Sequence, residues 1–158
     1  MKAIVVLFAI AALLSAFSFA DEMKPMAHGV MDPGSLQWGA CPPGLPAGGC
    51  KLAVMQGDPG KAGEEFTIRA SFSDGYKIMP HFHGTTENIT VISGAFHVGM
   101  GDKFDESNAQ SMAAGSFASM PATMHHYAWA EGDTVIQVNA IGPFSITYVN
   151  PADDPMKK

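Results

Sequence analysis

From Gln37 onward the chain offers only short apolar segments, and glycine or proline interrupts them repeatedly. The runs LAVMQ, FTIRASF, ITVISGAFHVGM, SFASMP, YAWA, TVIQVNAIG and FSITYVN are rich in β-branched and aromatic residues. Such side chains suit a pleated, half-buried surface, so each run is read as a strand. Turn chemistry separates them at Gly57–Gly60, Ser73–Gly75, Gly101–Ser107 and Glu131–Asp133. The sole helical candidate is 105–114. Seven short strands with no helices alternating between them predict an all-β, antiparallel sandwich or small barrel.

A chain of 158 residues favours one domain. Residues 1–20 stand apart from it. Lys2 precedes an apolar run that ends in small residues, and Ser18 and Ala20 fit a signal-peptidase site. The run is short for a bilayer span, which needs about 20 apolar residues. The reading is therefore a signal peptide over 1–20, an extended segment over 21–36, a β-domain over 37–151 and a tail over 152–158. Export, periplasmic or secreted, with no stable membrane span after cleavage, follows from it. The segment 21–36 carries Met23, Met26, His28 and Met31. It reads as a linker, although thioethers beside an imidazole also suit monovalent copper.

The formal charge is −6, and loss of Lys2 with the leader leaves 8 basic against 15 acidic residues, a net −7. No basic run is present, so nucleic acid and anionic membrane surfaces are poor partners. Cys41 and Cys50 are the only cysteines. An even count in an exported chain predicts a disulfide. A structural zinc site normally uses a second thiolate pair, which is missing.

The chemistry concentrates in His81-Phe82-His83-Gly84-Thr85-Thr86-Glu87. Side chains two apart on a strand share a face, so His81 and His83 project together. Pro80 donates no backbone hydrogen bond and suits a strand start. Gly84–Thr86 permits a bend that returns Glu87 toward the histidines. Two imidazoles and a carboxylate on one side make an open metal site. A further ligand has to come from His97, His125 or His126. Adjacent strand residues point to opposite faces, so at most one of His125 and His126 faces that interior.

Gly75, His81, His83, Glu87 and Gly94, separated by five, one, three and six residues, are similar to the complete first motif of the cupin superfamily. Gly115, Pro121 and His126 match the second motif in part. Thr123 stands where glycine is usual in that motif, and Ala130 where asparagine is usual. With strand-like sequence on both sides, the resemblance extends over roughly 37–150. It implies a conserved-barrel antiparallel jelly roll around one divalent transition metal (Fe, Mn, Zn, Cu or Ni). It also implies His81, His83, Glu87 and His126 as ligands, and a homodimer formed through barrel edge strands.

His97 and His125 are then expected to face outward. Phe72, Ile78, Met79, Phe96, Met120, Met124, Tyr127 and Trp129 are expected to line or pack the pocket. Few charged groups lie near the motifs beyond Lys77 and Asp74, and Arg69 is the only arginine. That favours a small apolar or phenolic ligand over a polyanion. The function expected is a metal-dependent, dioxygenase-like oxidoreductase. The alternatives are a non-catalytic metal- or ligand-binding or sensing cupin, and a copper-handling protein that also uses Met23, Met26, His28 and Met31.

Overall fold

The computed structural model describes residues 29–157. The expected leader over 1–20, and Met23, Met26 and His28, lie outside the described residues. Within them the regular structure is strand plus short 3-10 turns. The strands are β1 Gly39–Ala40, β2 Cys50–Gln56, β3 Glu65–Phe72, β4 Lys77–Phe82, β5 Glu87–Met100, β6 Gln110–Ala113, β7 Phe117–Met120, β8 His126–Ile141 and β9 Thr147–Tyr148. No helix among the described residues is long and apolar enough to cross a membrane.

All ladders are antiparallel. One path of the sheet runs β1-β2-β3-β8-β4-β9, and β5 joins β8 to β6 and β7. Two long strands dominate: β5 lies along β8 from Asn88↔Asn139 to Met100↔His126. The fold is thus all-β and antiparallel, as the strand pattern predicted, and curls into the jelly roll that the resemblance implied. Alternation places Phe66, Ile68, Ala70 and Phe72 of β3 inward, opposite Ile89 and Val91 of β5 and Ile136 and Val138 of β8. Phe72 stacks on Tyr76 at 4.9 Å and on Phe96 at 5.7 Å, centroid to centroid. Such pairs contribute about 0.5–1.5 kcal/mol beyond their burial.

Four local expectations are corrected. Glu131–Asp133 is not a turn, because β8 runs through it. Its partner β5 is irregular between Val91 and Ala95, and the inward positions of β5 shift from 89 and 91 to 96 and 98 across that break. Both strands bend there rather than reverse, as bulges allow. Gly94 (φ 78°) permits the close approach, since a Cβ would stand 2.5 Å from the Asp133 carbonyl. The helix expected over 105–114 is instead a 3-10 turn, Glu106–Asn108, capped by the Asp105 side chain, followed by β6. Pairing with β5 overrides the weak helical propensity there. Pro80 lies inside β4 rather than at its start, at an irregularity in the ladder to β8. In the last expected strand only Thr147–Tyr148 pairs, and residues 143–146 form a loop.

Cys41 and Cys50 are joined as predicted, with Cα atoms 5.6 Å apart. The bond ties the loop between β1 and β2 to the start of β2.

Candidate metal centre

The site is assembled where β4 ends and β5 and β8 begin. His81 projects inward from β4, and His83 lies one residue past its end. The bend at Gly84–Thr86 returns the chain so that Glu87 opens β5. His126 opens β8 and pairs with His81 across the ladder. The four residues are at most 7 % exposed.

The turn before His126 explains the first departure from the motif. Thr123 has φ 65°, the only positive φ of a non-glycine residue among those described. Left-handed backbone costs an L-residue about 1–2 kcal/mol, which is why glycine is usual at such a position. Thr123 is held there as its N–H donates to the His83 carbonyl (2.9 Å), and Met124 closes the turn onto Pro121 (3.1 Å). At the second departure, the backbone of Ala130 bonds to Gly75 and Tyr76, 3.0 Å each. That link between the motifs needs no polar side chain.

Each imidazole is oriented by the backbone. The Nδ1–H groups donate to the carbonyls of Met79 for His81 (2.8 Å), Ser145 for His83 (2.8 Å) and Met124 for His126 (2.9 Å). A carbonyl only accepts, so Nδ1 carries the proton and Nε2 keeps its lone pair. The ligand atoms of His81, His83 and His126 lie within 4.8 Å of one another. A Glu87 carboxylate oxygen is 3.5 Å from His83 Nε2 and 3.4 Å from His126 Nε2.

Those two separations are long for hydrogen bonds to a carboxylate, and both nitrogens are buried without a hydrogen-bond partner. A buried orphan nitrogen costs about 1–3 kcal/mol unless something accepts its lone pair. Donors about 2.1 Å from a common ion stand roughly 3.0–3.4 Å apart at octahedral and tetrahedral angles. The cluster therefore fits a metal ion, with the tautomers already set for coordination.

Burial, and then the charges of His126 and His83, push His81 down to about 3, so it is neutral at physiological pH. Burial pulls Glu87 the other way, but the adjoining His126 and His83 hold it well below the ordinary carboxylate range. It stays an anion, which a cation would neutralise. His83 is raised: burial lowers it, and the neighbouring Glu87 together with the Ser145 carbonyl outweighs that effect.

The cluster sits in the wall of a cavity of about 360 Å³ inside the barrel. Phe72, Ile78 and Phe96 line it as expected, Met120 and Tyr127 are buried in the core instead, and Met79, Met124 and Trp129 do not line it. Sequence reasoning missed the residues that complete it: Pro42–Leu45, Phe144–Ile146 and Met156. Phe144 stacks on His83 with centroids 4.3 Å apart. No periodicity marks these loop residues. Among the described residues no lysine or arginine borders the cavity. Lys77 pairs instead with Glu106 (2.7 Å), and the Asp74 carboxylate accepts from the Gly132 N–H (2.7 Å).

The other two described histidines stand apart from the cluster. His97 stacks on Trp129 at 4.5 Å and meets Glu131 at 2.8 Å. His125 is 38 % exposed, bonds to Asp102 and stacks on Phe82, whose side chain points away from His81.

Comparison with known proteins places the chain. Among curated proteins no sequence matches it. Solved structures do. The polyketide cyclase RemF of Streptomyces resistomycificus is 16 % identical with a TM-score of 0.64, covering 82 % of this chain and 91 % of its own. A protein of Methylibium petroleiphilum, provisionally described as an acetylacetone dioxygenase, is 15 % identical with a TM-score of 0.61, covering 84 % and 88 %. An RmlC-like cupin of Shewanella frigidimarina is 17 % identical with a TM-score of 0.55, covering 74 % and 94 %. At these identities the likeness is one of fold. The family described as Domain of unknown function (DUF4437) matches residues 30–154. This chain therefore belongs to the DUF4437 family, its fold is that of the cupins, and its three-histidine cluster fits a metal site.

Proposed function

We propose that His81, His83, Glu87 and His126 hold one divalent transition metal, and that the protein is an exported, dioxygenase-like oxidoreductase acting on a small apolar or phenolic molecule. One observation carries this reading. Three imidazoles, each protonated toward a backbone carbonyl, bring ligand atoms within 4.8 Å of one another at the wall of an apolar cavity, with the buried Glu87 carboxylate beside two of them. A bound divalent ion supplies Lewis acidity and, for a redox-active metal, electron transfer to a substrate beside it. The chain's own residues do the remaining work. The Met79, Ser145 and Met124 carbonyls keep the imidazoles from rotating, Glu87 offsets the cationic charge, and the aliphatic lining excludes water.

The likeness to a fold provisionally described as a dioxygenase and to a polyketide cyclase supports small-molecule chemistry in this cavity. Export is supported by the leader-like residues 1–20 and by the Cys41–Cys50 disulfide. A second reading, a non-catalytic binding cupin, is favoured by the scarcity of acid–base groups in the lining, where among the described residues Ser145 is the only polar one besides the four at the centre. Metal analysis of the purified protein, with oxygen uptake measured over a panel of catechols and diketones, separates the two. Oxygen consumption abolished by His83→Ala supports the oxidoreductase. Stoichiometric metal with no turnover on any panel member supports the binding protein.

A further inference from the structure

We propose that the disulfide-closed loop 41–50 and the turn Phe144–Ile146 form a fixed specificity wall, and that the ligand they admit has a chelating oxygen head and a compact, uncharged apolar body. This deepens the metal-centre reading and rests on it. Polar groups in the cavity belong to the histidine cluster, Glu87 and Ser145, while the remaining lining is apolar side chain or glycine. A polar atom of the ligand placed elsewhere would be buried unpaired, at a cost of about 1–3 kcal/mol. Recognition therefore puts the ligand's oxygens at the cluster and carbon everywhere else.

The strand residues that line the cavity, such as Ile68, Phe72 and Val138, are buried and packed. The lining residues that also reach solvent include Pro42, Pro43, Ser145 and Met156, all from the loops and the C-terminal segment. The ligand enters between those segments, and they bound its far end. They are locked in place. The Tyr76 hydroxyl donates to the Pro46 carbonyl (2.7 Å), the Tyr148 hydroxyl donates to the Gly44 carbonyl (2.9 Å), and the disulfide closes the base of the loop. Gly44 is backed against Ile146, and a Cβ on it would stand 2.8 Å from Ile146 Cγ2. A wall pinned at these points selects by size. The cavity of about 360 Å³ lies at the small end of ligand pockets. That suits a chelating head with one ring or a short chain.

Linear alkyl hydroxamates of increasing length, titrated into the Co(II)-loaded full-length protein, test this through calorimetry and the visible cobalt spectrum. Affinity is expected to rise about fourfold per buried methylene, up to a sharp length limit. Leu45→Ala and Ile146→Val are expected to move the limit to longer chains with the cobalt spectrum retained. Gly44→Ala is expected to move it to shorter ones. Affinity independent of chain length, or a limit unmoved in all three variants, overturns the wall while leaving the metal centre standing. Failure of the wild-type protein to take up Co(II) overturns both.

Discussion

Replacing His126 by alanine while leaving His125 in place tests how the site is built. His126 is 2 % exposed, and its Nε2 is one of the orphan nitrogens around Glu87. Four-donor zinc sites in small domains contribute an apparent 10–16 kcal/mol, about 2.5–4 kcal/mol per donor. At 1.4 kcal/mol per tenfold, His126→Ala weakens Zn(II) binding by roughly a hundred- to a thousand-fold. Zinc at a hundred times the wild-type Kd stabilises the fold by about 2.7 kcal/mol, and nearly all of that disappears in the variant. Without metal, the substitution still removes the Nδ1 bond to the Met124 carbonyl and leaves a cavity, so the zinc-dependent loss is the difference between melts with and without zinc. His125→Ala breaks an exposed pair with Asp102, worth about 0–1 kcal/mol, and leaves zinc affinity within about twofold. Competition calorimetry and thermal melts with and without zinc read both effects. Equal losses of affinity from the two variants, or a loss from His125→Ala alone, would refute the assignment of the inward histidine.

Three further outcomes are expected. Opening the disulfide with Cys41→Ala and Cys50→Ala should lower stability in urea by about 2.5–3 kcal/mol, the entropy of closing a loop of this length; an unchanged midpoint would show that Tyr76 and Tyr148 hold the loop unaided. Thr123→Gly should raise stability by about 0.5–1 kcal/mol, because relief of the left-handed penalty exceeds the added freedom of the unfolded chain; a lower urea midpoint would contradict the strain. Tyr148 is pushed up to about 12 from an ordinary 10.0 by burial and then by Asp154 and Asp153. The folded state thus keeps a proton that the unfolded chain releases, so this contribution is full below pH 10 and is lost as pH rises toward 12. Tyr148→Phe should cost about 1 kcal/mol at neutral pH through the lost bond to Gly44, yet flatten the alkaline decline. Urea midpoints between pH 8 and 12 measure it, and an equally steep decline in the variant would argue against Tyr148 as its source.

Much of the architecture is legible in the linear chain because it is local. Period-two alternation in Glu65–Phe72 and the spacing of His81, His83 and Glu87 are properties of consecutive residues, so they announce a strand face and a cluster before any folding. Adjacency also limits His125 and His126 to one inward residue. Which of the two turns inward is set by the ladder that pairs His126 with His81. Tertiary pairing likewise carries β8 through Glu131–Asp133 and makes Gln110–Ala113 a strand, because partner strands satisfy the backbone there. The cavity wall is the least legible part. Gly44 and Tyr148, 104 residues apart, meet through one hydroxyl, and Phe144 reaches His83 from a loop without periodicity. Short-range patterns select strands and ligands, whereas contacts across the barrel exist only once the sheet has curled and brought distant segments together.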